Sequence, residues 1–166
     1  MSDVMERLSH LQQTIDTLRL YALVDGVQYR HQRGEPLARR AGFYSLFEGT
    51  SDAPLAHAGP WLIDVEQAGA QLASDLSVLE QETPAVSWII ASQSLDGLAQ
   101  LLQLKLDAMM PDGRRALLRF WDPRVLVSLA QVLSNEQRQE FFGYIHEWHL
   151  LHNGKRAWIG TAHVDA

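Results

Sequence analysis

The sequence predicts an α/β domain, with a largely parallel central sheet flanked by helices and a C-terminal antiparallel hairpin. Three observations predict it. Short apolar runs that stop at turn residues read as buried strands. They alternate with stretches whose leucines recur at helical spacing, the order expected when helices cross between parallel strands. Near the C-terminus, Asn153-Gly154 is the strongest short-range signal for a two-residue hairpin turn.

Val4, Leu8, Leu11, Ile15 and Leu18 share one helical stripe, and Asp3 with Glu6 makes a capping box, so a helix is expected over about residues 4–19. The stripe is too short for a coiled coil and is expected to pack on the sheet. "YALVDG" (21–26) is the first strand, halted by Asp-Gly. Residues 27–60 are rich in Gly, Pro, Arg and Ser, and "FYSLFEGT" within them is read as a short helix and turn. "PWLIDV" (60–65) is the next strand, trailed at helical spacing by Leu72, Leu76 and Leu79. "VSWIIAS" (86–92) follows, bounded by Pro84 and by Ser94, a good N-cap. Leu98, Leu101, Leu102, Leu106 and Met109 then form a helical stripe that "PDG" ends.

"RALLRFWD" (115–122) is the fourth strand. Asp122 followed by Pro123 suits a helix N-cap and first helical position, since the carboxylate accepts from free amides and proline forfeits no hydrogen bond there. Val125, Leu129 and Val132 continue that helix. Ser134 with Gln137 opens a further short helix that runs through Phe142 and ends at Gly143. Counting outward from the Asn-Gly turn sets Leu150 against Ala157 and Trp148 against Ile159 on one face, with His149 against Trp158 on the other.

At 166 residues and 46% hydrophobic, the chain is one domain over residues 1–166 with enough apolar side chains for a sizeable core. A net charge of −6 with short, scattered basic pairs argues against nucleic acid as a partner. The absence of cysteine excludes disulfides and thiolate metal sites. Met1 leads into an acidic amphipathic stretch rather than a secretory signal, and no apolar run approaches the roughly 20 residues of a membrane span, so a soluble cytoplasmic protein is expected.

Glycine-rich phosphate loops, Gly-x-Ser-x-Gly elbows and His-Glu-x-x-His are missing. In a parallel sheet Asp25, Ser92 and Asp122 would all lie at strand C-terminal ends, where ligands bind. Two such carboxylates would hold Mg²⁺ for phosphohydrolase chemistry, with Arg119 or Arg124 steadying an anion. Helix-capping and ion-pairing carboxylates explain the same residues more simply. His146, His149 and His152 form no metal site if strand alternation turns His149 away from the other two. Trp61, Trp121 and Trp158 are expected in the core, with a second role as partner contacts open to them.

In order along the chain, "YALVDGVQ", "YSLFEGT", "GPWLIDV", "WIIASQSLDGLAQLLQLKL", "DGRRALLRFWDPRVL" and "FFGYIHEW" resemble domain of unknown function 4123 over about residues 20–160. Its members include adaptor chaperones that load toxic effectors onto the spike of the bacterial type VI secretion machine. The resemblance implies a non-enzymatic, cytoplasmic adaptor without cofactor, catalytic residue or metal. Its partners would be a cognate effector and the spike protein. The family pattern falls on Asp25, Gly26, Gln28, Glu48, Gly49, Pro60, Trp61, Arg119, Trp121, Asp122, Pro123 and Arg124, as fold-maintaining residues or as partner contacts. Many relatives carry a further C-terminal lobe, so contacts made by that lobe are not carried over to this chain.

Overall fold

A computed structural model of the chain describes residues 2–160 and the backbone of Val164–Asp165. The first half runs α1 (Ser2–Gln12), β1 (Arg19–Asp25), α2 (Gly26–Arg33), β2 (Phe43–Ser45), a 3-10 helix (Ala53–Ala58), β3 (Pro60–Asp64), α3 (Val65–Ala68) and α4 (Ala70–Glu82). The second runs β4 (Val86–Ala91), α5 (Leu95–Gln103), β5 (Asp107–Met109), β6 (Arg115–Leu117), α6 (Pro123–Val132), α7 (Asn135–Phe142), β7 (Glu147–His152), β8 (Lys155–Gly160) and β9 (Val164–Asp165). Seven strands form one sheet in the order β2-β3-β1-β4-β7-β8-β9, and β5 with β6 forms a separate hairpin.

The sheet is antiparallel rather than largely parallel, because every neighbouring pair runs in opposite directions. The reason lies in residues 27–60. "FYS" inside that segment is an edge strand, β2, which turns back through the 3-10 helix and pairs antiparallel with β3. β3 then lies beside β1 in the opposite sense, with Ala22 opposite Ile63. The helical crossover from β3 to β4 does return the chain in the same direction, but β1 sits between them, with Ala22 also opposite Trp88. β3 and β4, joined by helices, are thus parallel without being neighbours.

Helices cover both faces, so β1 beyond its exposed first residue Arg19, and all of β3 and β4, are buried, and period-2 alternation is absent from their sequences. One face sets Tyr21, Leu23, Leu62, Ile89 and Trp148 against α5, α6 and α7. The other sets Leu20, Ala22, Val24, Ile63, Trp88 and Ile90 against α1, α2 and α4. The C-terminal hairpin has the predicted register, with Leu150 opposite Ala157, Trp148 opposite Ile159 and His149 opposite Trp158. Its turn residue Asn153 adopts a positive φ of 52°, as an Asn-Gly turn requires.

Three element boundaries differ from expectation. α1 stops at Gln12, and a turn beginning with Gln13 N–H donating to the His10 carbonyl delivers Ile15 and Leu18 to the core that the helix already faces. Asp3 lies within that helix and pairs with Arg156 instead of capping. α5 ends at Gln103, so Met109 belongs to β5 and not to the helical stripe. Of the predicted strand 115–122, only Arg115–Leu117 is extended, and it pairs with β5 outside the main sheet. Phe120 and Trp121 are consecutive and both buried in the same core, which strand alternation forbids and a turn permits. That turn is closed by Asp122 N–H donating to the Arg119 carbonyl at 3.0 Å.

Candidate partner-binding surface

Three strand or turn ends in this molecule are built alike. Asp25, Asp64 and Asp122 each sit in extended backbone and accept from amides of the helix that follows. Asp25 accepts from Val27 N–H at 2.9 Å and Gln28 N–H at 3.3 Å. Asp122 accepts from Arg124 N–H at 2.9 Å, and its two oxygens also receive Arg124 Nε at 3.0 Å and Nη2 at 2.8 Å. Both carboxylates of the phosphohydrolase reading are therefore engaged as helix caps.

Asp25, Arg119, Asp122 and Arg124 occupy one corner, close enough to act on one another electrostatically. Burial pushes the Asp25 carboxyl above its ordinary value and Asp122 adds to the push, while the helix amides and Arg119 oppose it. Burial acts in the same direction on Asp122, but the hydrogen bonds and charge of Arg124 outweigh it and hold that carboxyl low. Arg119 does not pair with Asp25. Its guanidinium is exposed, 6.0 Å from the Trp121 ring, and among the described residues no carboxylate lies within ion-pair distance of it. Ser92 is elsewhere: because β1 and β4 are antiparallel, it falls at the opposite end of the sheet, 3.1 Å from Thr17 Oγ1.

The remaining signature residues support this corner. Gly26 N–H donates to the Gly59 carbonyl at 3.0 Å, and a Cβ at position 26 would stand 2.5 Å from that oxygen. The Asp-Gly pair is thus a cap followed by a close backbone approach. Gln28 Oε1 accepts from Thr83 Oγ1 at 3.1 Å, tying α2 to the turn before β4. Glu48 pairs with Arg39 at 2.7 Å, and its carbonyl accepts from Gln103 Nε2 at 2.8 Å. Trp61 and Trp121 are buried in opposite cores, the latter edge-on to Phe47 at 5.7 Å. Trp158 is half-buried, stacked on His149 and lying beneath Arg7. His149 is itself buried, with Nε2 2.8 Å from Glu147, while His146 and His152 lie at the two ends of β7. Among the described residues no three His, Asp or Glu side chains group as metal ligands.

Next to the charged corner, the β5–β6 hairpin exposes Met109 and Leu117, with Leu104 just before it and Met110 in its turn. Sequence reading assigned these residues to a helix and a buried strand. The available signal was "PDG" flanked by two short runs, which is a hairpin turn pattern as well as a helix stop.

A family model described as domain of unknown function DUF4123 matches residues 20–140. The chain belongs to the DUF4123 family. No curated protein and no solved structure matches it. The DUF4123 match runs from the start of β1 into α7 and so takes in the capped corner, the β5–β6 hairpin and both tryptophans buried beneath them. Helix α1 and the C-terminal hairpin lie outside the matched residues. No helix of the described DUF4123 chain is long and apolar enough to cross a membrane.

Proposed function

We propose that this DUF4123 protein is a cytoplasmic adaptor that binds a cognate type VI secretion effector and promotes its loading onto the spike protein, without catalysis of its own. The observation that carries the reading is the division of labour in the family signature. Its carboxylates Asp25 and Asp122 brace helix starts, whereas its cation Arg119 points outward beside an exposed apolar hairpin. That combination suits recognition of another polypeptide: a charged group for orientation, apolar side chains to bury, and a scaffold held rigid behind them. Apolar surface covered in such a contact contributes about 25 cal/mol per Å², less the terms for association and ordering. Binding of this kind proceeds without nucleotide hydrolysis.

The experiment is co-purification. The tagged chain, co-expressed with the effector and spike component encoded beside it, is expected to retain the effector through a size-exclusion column. Capture of neither protein overturns the adaptor reading. Arg119→Gln, which removes the exposed cation without adding a like charge beside Asp25 and Asp122, is expected to weaken capture while lowering the melting temperature only slightly.

A further inference from the structure

We infer that the outer edge of β6 receives an extended segment of the partner polypeptide, one in which an apolar residue lies between two acidic ones. The inference rests on the adaptor reading and names the chemistry that the partner presents. Among the described residues the hairpin is a two-stranded sheet that pairs with no third strand. Its register sets Met109 opposite Arg115 and Asp107 opposite Leu117. Met110 N–H donates to the Arg114 carbonyl at 2.8 Å and Leu118 N–H to the Leu106 carbonyl at 2.6 Å, which fixes which residues bond inward. By the alternation of an antiparallel ladder, the backbone N–H and C=O groups of Arg115 and Leu117 point away from β5. An edge with open donors and acceptors is a template for another extended chain, and such chains bind by adding a strand.

Side chains along the same edge say which chain fits. Arg115 and Leu117 are exposed, at 77% for the arginine side chain and 41% for Leu117, and Arg119 follows two residues on. The edge thus presents a cation and then an apolar group two residues on, with a second cation, Arg119, just past the end of the strand. Residues 104–119 hold four cations (Lys105, Arg114, Arg115, Arg119) and two anions (Asp107, Asp112), a net of +2 within a chain of −6. Asp112 is taken by Arg114 at 2.6 Å, and Asp107 only reaches Arg115 at 4.0 Å across open solvent. A partner strand carrying acid, apolar residue and acid would set each of its side chains beside its complement. A second copy of this chain would instead bring its own arginines against Arg115 and Arg119, which like-charge repulsion disfavours.

The test uses the whole chain and a fluorescein-labelled peptide of alternating Glu and Val, read by fluorescence polarisation. The peptide is expected to bind, and a Lys–Val peptide is not. Leu117→Pro deletes an outward N–H that the hairpin does not use and is expected to weaken binding roughly tenfold. Met109→Pro, the same deletion on the β5 edge, is expected to leave it unchanged. The double variant Arg115→Glu, Arg119→Glu is expected to exchange the preference for the Lys–Val peptide, and it carries the test should the proline variant melt early. No binding of the Glu–Val peptide, or equal binding by all variants, overturns the inference. So does a wild-type dimer in sedimentation that Leu117→Pro dissolves, since the occupant would then be a second copy. Effector capture that all edge variants preserve would leave the adaptor standing without this edge. Edge-dependent peptide binding with no effector capture would remove the adaptor reading alone.

Discussion

Asp122 joins two jobs at one side chain, capping α6 through the Arg124 amide and holding the Arg124 guanidinium by two hydrogen bonds. Asp122→Ala is expected to lower stability by about 0.5–2 kcal/mol through loss of the cap. A shift in the denaturant midpoint without a change in slope checks it. Gly26 is constrained by backbone atoms that do not yield, the carbonyls of Gly59 at 2.5 Å and His57 at 2.9 Å from an added Cβ. Gly26→Ala is expected to cost about 1–3 kcal/mol, because two backbone segments must separate. A thermal melt equal to wild type would place the close approach in doubt. The Asp122 cap was legible in the sequence, since Asp-Pro is a local pattern; Asp25-Gly26 read only as a turn, because the close approach that fixes Gly26 comes from Gly59 and His57, distant in sequence. The direction of Arg119 was not legible, because it depends on where Asp25 lies across the fold.

At the scale of elements, α1 is fastened by charge as well as by Val4 and Leu8. Arg7 donates to the buried Glu147 of β7 at 2.5 Å, and Arg156 of β8 bridges Asp3 and the buried Glu80 of α4. Arg7→Met leaves Glu147 with His149 alone and is expected to cost about 1–3 kcal/mol, the penalty for an under-satisfied buried acceptor. Hydrogen exchange is expected to quicken in α1 before β7. The helix starts at Ser94, Asp122 and Ser134, the last with its capping box to Gln137, and the C-terminal hairpin register were readable, each being set within a few residues. β2 and the β5–β6 hairpin were not. Three-residue strands are too short to show a period, and their extended form is fixed by pairing with chain distant in sequence or across a turn.

For the whole molecule, Glu147 links acidity to stability. Burial alone would raise its pKa, but hydrogen bonds from His149 and Arg7 outweigh burial and bring it from an ordinary 4.5 down to about 2. A folded-state value below the unfolded one means that its stabilisation is complete above the ordinary carboxylate range and is lost as pH falls from about 4.5 toward 2. Glu147→Gln is expected to flatten the stability profile across that window, measured by denaturant titrations at stepped pH. Asp25 works in the opposite sense, since its raised pKa makes the folded state bind a proton more readily, so comparing the variant with wild type isolates Glu147.

The sequence by itself determined the layering of apolar strands between helices, the caps at Ser94, Asp122 and Ser134, and the membership read from Asp25-Gly26 and from Arg119 through Arg124. These follow from local propensity and from how much apolar surface must be covered. Only the tertiary structure decided that the sheet is antiparallel, that Asp25 and Ser92 stand at opposite ends, and that Met109 and Leu117 face solvent. Strand direction depends on which strand is inserted between two others, and a chain that is buried on both faces carries the same apolar pattern whichever way its neighbours run.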